Sequence, residues 1–312
     1  MNSILSIAAN DSNELRESTG GLRLEPVGGS AQLPQDWTPK TIYACYSSVL
    51  RTVRWFADLG GIAEILPSPV APRMEYAASK SVFLGSAESP RLVLPASNTY
   101  QKELAALLFG PVYCIAPCYR REWPSDTSRG RHLNVFFQIE FEFPNASAAD
   151  AREVAGDLLN AICRDFPSWL LRQPPDTFKK IDEVDLAETA PSIDLNSYDE
   201  WAAANSERIR RPTWVLGMPQ TSRPRLNQSV AGSRLSAGFD LLLPRSYGEL
   251  LSGGLRDHAE LDNFWGDKQV PSGSSAGFGI GLERLIGYLV EERDLRRLQL
   301  PYFAESTWQR AD

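Results

Sequence analysis

Residues 136 to 143 run Phe-Phe-Gln-Ile-Glu-Phe-Glu-Phe, and this stretch decides the fold class. Apolar side chains occupy the odd positions from Phe137 to Phe143, and polar side chains occupy the even positions from Gln138 to Glu142. A period of two is typical of a β-strand with one face on a core, which favours an antiparallel sheet. The polar side chains form either a solvated face or the wall of a site.

The segments around this strand predict an α+β fold, a mainly antiparallel sheet flanked by helices, because strands and helices do not alternate as β-α-β units. Apolar residues recur every three or four positions from Ile42 to Phe56, which indicates a helix. Thr38 and Pro39 can begin it and Gly60 can end it. The other predicted elements are strands at 62–66, 112–116, 136–143, 239–243 and 248–251, and helices at 148–171 and 281–292.

Composition and charge narrow the class of protein. The chain has 312 residues with 13 Phe and 8 Trp, enough for one large domain over residues 38–312. Residues 1–37 are rich in Gly, Ser and Asn and predict a weakly ordered arm. Four irregularly spaced cysteines are typical of a reducing compartment, so we expect a cytoplasmic protein. The sequence has no long apolar run, so we expect no transmembrane helix. The net charge of −7 argues against a polyanionic partner.

Two distant segments predict chemistry when they are taken together. The first runs Cys118-Tyr-Arg-Arg-Glu122 and is followed by Arg131-His-Leu-Asn-Val-Phe136; the second runs Gly277-Phe-Gly-Ile-Gly-Leu-Glu-Arg-Leu285. Alone, each has an ordinary explanation, a surface charge pair or a tight glycine turn. Together they resemble motifs 2 and 3 of the class II aminoacyl-tRNA synthetases, which build one ATP site. Ser252-Gly-Gly-Leu-Arg256 resembles the signature of the aspartyl and asparaginyl subgroup and of the related archaeal asparagine synthetase.

The resemblance implies a class II synthetase-type sheet and a role for each matching residue. Arg120 and Arg284 are the implied catalytic arginines. Arg120 would contact the substrate carboxylate and the α-phosphate, and the planar guanidinium of Arg284 would both stack on adenine and contact phosphate. The implied ATP-binding residues are Arg120, Glu122, Arg131, His132, Phe136, Glu249 and Arg284. The implied amino-acid-binding residues are Ser97, Thr99, Lys102, Gln138 and Arg256, and the implied Mg²⁺ ligands are Asp240 and Glu249.

The function implied is ATP-dependent and AMP-forming. Our main hypothesis is an amide ligase that adenylates an aspartate-like carboxylate and passes the acyl group to ammonia or another amine. The alternatives are aminoacylation of tRNA and a non-catalytic paralogue that binds a nucleotide or a partner. The expected small-molecule partners are a carboxylic acid and an amine. A second copy of the chain is also expected, since residues 59–69 resemble motif 1, which forms the dimer interface in the family. The acidic charge and the lack of an anticodon-binding domain before residue 38 lead us to expect no tRNA.

Overall fold

The fold is known from a computed structural model. It describes residues 38–71, 82–84, 92–122, 130–189, 198–221, 227–256 and 273–299. The predicted arm at residues 1–37 and the last part of the predicted domain, residues 300–312, lie outside the described residues. Within the described ranges, no helix is both long enough and apolar enough to cross a membrane.

The first helix, α1, confirms the prediction from periodicity. It spans Pro39–Leu59, the Thr38 side chain accepts a hydrogen bond from the Thr41 N–H at 3.2 Å, and proline stands in the first turn. Gly60 ends the helix, and Gly61 follows with φ of +62°, a conformation that glycine adopts at little cost. The apolar stripe of α1 is buried against the core.

Eight strands form one sheet in the order β1-β4-β5-β10-β9-β8-β7-β6, and β2 with β3 forms a separate ribbon. The pairs β1/β4 and β6/β7, at the two edges, are parallel, and the inner pairs are antiparallel. The strands are β1 Ala63–Glu64, β2 Val82–Leu84, β3 Leu92–Leu94, β4 Val112–Tyr119, β5 Val135–Pro144, β6 Asp182–Asp185, β7 Thr213–Pro219, β8 Leu235–Leu243, β9 Gly248–Leu255 and β10 Ser275–Gly281.

The remaining helices flank this sheet. They are α2 Thr99–Phe109, α3 Ala148–Asp165, α4 Leu186–Thr189, α5 Tyr198–Arg208 and α6 Leu282–Val290, followed by a 3₁₀ turn at Leu295–Leu298. A reciprocal capping box between Ser147 and Asp150 begins α3. The predicted helix over 148–171 is too long, because Phe166 already has extended backbone angles and Pro167 follows it.

One face of β5 packs in the hydrophobic core, and the other face carries polar side chains. Ile139, Phe141 and Phe143 lie in the main core, where the ring of Phe141 stacks on that of Phe278 with centroids 5.4 Å apart. On the other face, Glu140 is 1% exposed and Glu142 is 0% exposed. The interpretation of these carboxylates as a solvated face is therefore wrong, since buried charges need partners.

Candidate active site

A cavity of about 460 Å³ lies on the sheet face that carries Gln138 and Glu140. Every predicted site residue lines this cavity except Asp240. The sheet register explains why distant segments meet: Phe136 pairs with Cys118 of β4, and Gln138 pairs with Gly281 of β10. The predicted residues that line the cavity are Ser97, Thr99, Lys102, Arg120, Glu122, Arg131, His132, Phe136, Gln138, Glu249, Arg256 and Arg284.

One end of the cavity, which we call the nucleotide end, combines arginines with an aromatic ring. The Arg120 guanidinium carbon lies 4.9 Å from the centroid of the Phe136 ring, and Arg120 Nε donates to the Ala96 carbonyl at 3.2 Å. The stack is a cation–π contact and the carbonyl is neutral, so neither cancels the positive charge. Glu122 lies beside them, with its backbone N–H donating to Asn134 Oδ1 at 3.1 Å.

Arg284 lies at the same end and is fixed by the backbone. Its Nη2 donates to the Arg131 carbonyl at 2.8 Å, and its Nη1 donates to the Glu249 carbonyl. Burial lowers the pKa of Arg284, and the nearby cations Arg131 and Arg120 lower it further, against an opposing effect of Glu249 and Glu122. Burial is the largest of these effects, so it is burial that mainly disfavours the charged form of Arg284, and a bound anion would favour that form.

The opposite end, which we call the amino-acid end, contains Glu140. Its Oε1 accepts from the Asn98 backbone N–H at 3.0 Å and from the Asn98 side-chain amide at 3.2 Å. Its Oε2 lies 3.4 Å from Ser97 Oγ, and the Ser97 and Thr99 hydroxyl oxygens are 2.7 Å apart. Strand β5 thus presents a carboxylate to the cavity, and the start of α2 presents two hydroxyls beside it.

Lys102 is buried at the amino-acid end and its ammonium is fully used. Its Nζ donates to the carbonyls of Phe141 at 3.1 Å and Phe278 at 3.0 Å. It also lies 3.3 Å from Glu140 Oε2 and 3.5 Å from Glu142 Oε2. An ammonium has three donors, so these contacts satisfy it without any ligand.

Glu142 lies beneath the cavity and holds the predicted substrate residue Arg256. Arg256 Nε and Nη2 donate to the Glu142 carboxylate at 2.9 to 3.2 Å, and Nη1 donates to Asn227 Oδ1 at 3.2 Å. Glu142 Oε1 also accepts from Ser275 Oγ at 2.9 Å. Burial would raise the pKa of Glu142, but Arg256 and Lys102 outweigh it and lower that pKa.

Two glycines of the quoted motifs make room for this ion pair. A Cβ at Gly277 would collide with the Glu142 carboxylate and the Phe141 carbonyl, and a Cβ at Gly254 would collide with Asn227. The glycines therefore allow the buried partners of Arg256 to approach the backbone closely. The sequence pattern placed Glu140 and Glu142 on one face of β5, but it did not identify their partners, which lie on distant segments.

Asp240, a predicted Mg²⁺ ligand, lies apart from the cavity wall. It is fully buried, and its Oδ2 accepts from the Tyr198 hydroxyl at 2.9 Å. Tyr198 begins α5, a helix that covers part of the cavity through Asp199, Ala202 and Ala203. The second predicted ligand, Glu249, does line the cavity. Among the described residues, no group of three or more His, Cys, Asp or Glu side chains has metal-site geometry.

Solved structures of asparaginyl-tRNA synthetases share this fold. The enzyme from Pyrococcus horikoshii, solved with asparaginyl-adenylate, superposes with a TM-score of 0.71 at 18% identity over 84% of this chain and 68% of that one. The enzyme from Entamoeba histolytica, also with asparaginyl-adenylate, gives 0.67 at 19% identity over 84% and 66%. This likeness confirms the predicted α+β class II synthetase-type fold.

The curated relatives that match this chain are also named as tRNA ligases specific for asparagine. An asparagine–tRNA ligase of Sorangium cellulosum is 23% identical over 292 residues, covering 78% of this chain and 64% of the relative. One from Herpetosiphon aurantiacus is 26% identical over 237 residues, covering 60% and 52%. The chain therefore spans between about half and two thirds of the length of these relatives.

These relatives contradict our prediction that tRNA is not a partner. They are named for a tRNA substrate, whereas the prediction used the net charge and the expected lack of an anticodon-binding domain. A net charge of −7 describes the whole surface and does not describe the local potential where a polyanion would dock.

The family is shown by a longer match. The family model described as "tRNA synthetases class II (D, K and N)" matches residues 40–264, more than half of the sequence. Most of the residues that line the cavity lie within this match. The chain therefore belongs to the class II tRNA synthetase family of the aspartate, lysine and asparagine type.

Proposed function

We propose that the chain activates an amino acid with ATP and transfers the aminoacyl group to a tRNA. The observation that carries the proposal is that one cavity has Arg120, Phe136 and Arg284 at one end and Glu140 and Arg256 at the other. Such a cavity fits an aminoacyl-adenylate, which has a purine at one end and an amino acid at the other. A substrate carboxylate oxygen would attack the α-phosphorus, pyrophosphate would leave, and the tRNA hydroxyl would then displace AMP.

The nucleotide end supports the first step. Phe136 and Arg284 would hold the two faces of adenine, and Arg120 would neutralise the carboxylate and the α-phosphate as they approach. Arg131 and His132 would meet the distal phosphates. Mg²⁺, when bound, would neutralise phosphate charge, and Glu249 is the carboxylate that faces the cavity. Asp240 does not line the cavity, and its Oδ2 accepts a hydrogen bond from the Tyr198 hydroxyl.

The charge balance at the amino-acid end favours an uncharged substrate side chain. Lys102 and Arg256 supply two positive charges. Glu140 and Glu142 supply two negative charges at 2.9 to 3.5 Å, and the buried Glu103 adds negative charge near Arg256. A side-chain carboxylate would add an uncompensated buried charge, which is costly. A side-chain amide is neutral and offers both a donor for Glu140 and an acceptor for Arg256. We therefore propose asparagine, or an amino acid with a similar amide, over aspartate.

Pyrophosphate exchange across a panel of amino acids tests activation. Asparagine should exceed aspartate by at least about tenfold, which corresponds to about 1.4 kcal/mol. Aspartate exchanging faster than asparagine would contradict the proposed side-chain selectivity. No exchange with any acid would favour a non-catalytic paralogue.

Product analysis tests the acceptor. The activated amino acid should appear on tRNA, in a form that nuclease treatment abolishes and that needs no added amine. Acyl transfer to ammonia or another amine would use the same adenylate and would give an amide in the absence of RNA. An amide as the sole product, with no aminoacyl-tRNA, would overturn the proposed acceptor and support the amide ligase.

We also propose a homodimer, because residues 59–69 resemble the family's dimer motif. Leu66, just after the edge strand β1, is 94% exposed, and Phe109, at the end of α2, is 78% exposed. Large apolar side chains this exposed are candidates for burial in an interface. Light scattering should give twice the mass of the chain at micromolar concentration. A fully active monomer would contradict the proposal.

A further inference from the structure

Glu283 is a buried carboxylate to which none of the roles above has been assigned. It is 3% exposed, it lies in the first turn of α6, and it contributes to the cavity wall. A buried carboxylate is costly unless it accepts hydrogen bonds. Its surroundings therefore indicate what it does.

Glu283 accepts hydrogen bonds from two other elements. The Phe137 backbone N–H of β5 lies 3.1 Å from Oε1 and 3.0 Å from Oε2, and the Tyr46 hydroxyl of α1 donates to Oε1 at 3.0 Å. The side chain thus joins α1, β5 and α6 at one point inside the fold. Burial nevertheless raises the pKa of Glu283 to about 7, against the opposing effect of these hydrogen bonds.

The bond to Phe137 continues the sheet beyond the end of a strand. The β5–β10 pairing ends with Gln138 opposite Gly281, and the chain then turns into α6. On its other side, Phe137 faces Pro117 of β4. The carboxylate of Glu283 therefore takes the place of the next backbone acceptor that β10 would have supplied, and satisfies a backbone donor that needs a partner.

The sequence neighbours of the two bonded residues form the nucleotide end. Phe136 precedes Phe137, and Arg284 follows Glu283. Building on the proposed function, in which Phe136 and Arg284 hold the two faces of adenine, we propose that Glu283 is a positioning residue. Its bond to the Phe137 N–H fixes the separation between the Phe136 ring and the Arg284 guanidinium, and so sets the affinity for adenine.

The experiment measures ATP affinity by titration calorimetry, which needs no knowledge of the amino acid. Glu283→Ala should raise the ATP Kd by about tenfold, the scale of one lost buried hydrogen-bond acceptor. Glu283→Gln keeps an acceptor oxygen for the Phe137 N–H and should recover most of the affinity. Glu153→Ala, an exposed glutamate on α3, is the matched control and should bind ATP as the wild type does.

A double-mutant cycle separates positioning from general loosening. In a Phe136→Ala background, Glu283→Ala should change the ATP Kd by less than about twofold, because the ring it positions is gone. If the fold-changes in ATP Kd of Phe136→Ala and Glu283→Ala simply multiply in the double variant, the proposal is overturned. An unchanged Kd in Glu283→Ala would overturn it as well.

The experiment also covers a Glu283→Ala variant that does not fold and a wild-type protein that does not bind ATP. If Glu283→Ala does not fold, as seen by circular dichroism, Tyr46→Phe and Glu283→Gln carry the test in its place. Tyr46→Phe removes one hydrogen bond to Glu283 and leaves the one from the Phe137 N–H. Tyr46→Phe and Glu283→Gln should therefore each raise the ATP Kd by less than about threefold, and only when Phe136 is present. Wild-type protein that binds no ATP would refute the proposed function itself, whereas normal wild-type binding with no coupling to Phe136 would refute only this inference.

Discussion

Arg256 is buried and Arg284 is half-buried on the same cavity, and their pKa values shift in opposite directions. Burial alone would lower the pKa of Arg256, but Glu142, with Glu103 and Glu140 nearby, raises it above its ordinary value. Burial lowers the pKa of Arg284, Glu249 and Glu122 oppose that effect, and the neighbouring arginines add to it. Under the proposed function, the charges at the amino-acid end are paired before substrate arrives, whereas an anion would improve the surroundings of Arg284 at the nucleotide end.

The opposite pKa shifts indicate that the two ends of the cavity have different roles in the proposed function. At the amino-acid end, the protein's own charges would select a neutral side chain by the cost of any added charge. At the nucleotide end, arginines held in place by backbone carbonyls would attract phosphate, as preorganised electrostatic stabilisation requires. Loss of a charge at the first end should therefore affect folding, and loss at the second should affect catalysis.

The largest expected effect is on folding. Glu142→Ala leaves Arg256 and Lys102 with uncompensated positive charge, and breaking a buried pair of this kind typically costs about 3–5 kcal/mol. Urea unfolding should show this loss relative to wild type, while Glu153→Ala should unfold within about 0.5 kcal/mol of it. A loss under about 1 kcal/mol in Glu142→Ala would indicate that water reaches and compensates the two cations.

The counterpart at the nucleotide end should affect activity. Arg284→Ala and Arg120→Ala should each lower the rate of pyrophosphate exchange by about 10²–10³-fold, the usual effect of losing one transition-state donor. Stability should change little in Arg284→Ala, because this cation lies in unfavourable surroundings. Arg211→Ala, on an exposed pair with Asp182, should keep full exchange. An Arg284→Ala protein that is active but unstable would reverse the comparison.

The buried glutamates allow a related test by pH. The pKa of Glu283 is raised by burial to about 7 from 4.5, so its contribution to stability is present below pH 4.5 and is lost as the pH rises through 7. The groups that oppose this rise are the backbone N–H of Glu283 itself, the Phe137 N–H from β5 and the Tyr46 hydroxyl from α1. The loss should be on the order of 3 kcal/mol, from the size of the pKa change.

Unfolding curves at pH 5 and pH 8 measure that loss, and Glu283→Gln should remove it. Glu142 should behave in the opposite way, since Arg256 and Lys102 outweigh burial and lower its pKa. Its contribution is present above pH 4.5 and is lost as the pH falls through its folded pKa. Equal pH dependence in wild type and Glu283→Gln would show that Glu283 stays ionised throughout.

The fold could be predicted from sequence wherever local chemistry decides the structure. Thr38 with Pro39 and the glycines at 60 and 61 marked both ends of α1, and period two marked β5. The end of α3 was missed because its apolar pattern continues to Leu171, while the backbone already leaves the helix at Phe166. Strand β9 was predicted to stop at 251, yet it continues to Leu255 through glycines that leave room for Asn227.

The site could be predicted only as a set of residues. The resemblance brought Arg256 into that set, but its bonds to Glu142 cross 114 positions of sequence and could not be read from spacing. Glu283 was missed for the same reason, since its partner Tyr46 lies 237 positions away. The expectation of no tRNA failed because a net charge sums over the whole surface and does not give a local potential.

The smallest expected effect concerns salt, and it tests the comparison without any mutation. Arg120, Arg131 and Arg284 would bind phosphate charge at a cavity open to solvent, so added salt should screen that attraction. Raising the ionic strength from low to high should weaken ATP binding by roughly 1 kcal/mol, the scale of a Coulomb interaction between charges about 4 Å apart in water. Asparagine should lose less affinity than ATP, because it brings a single carboxylate to Arg120, while Lys102 and Arg256 are already paired with buried carboxylates. Calorimetric titrations of ATP and asparagine in the same buffers give the two dependences. An asparagine affinity that falls with salt as steeply as that of ATP would mean that charge at the amino-acid end is open to the substrate after all.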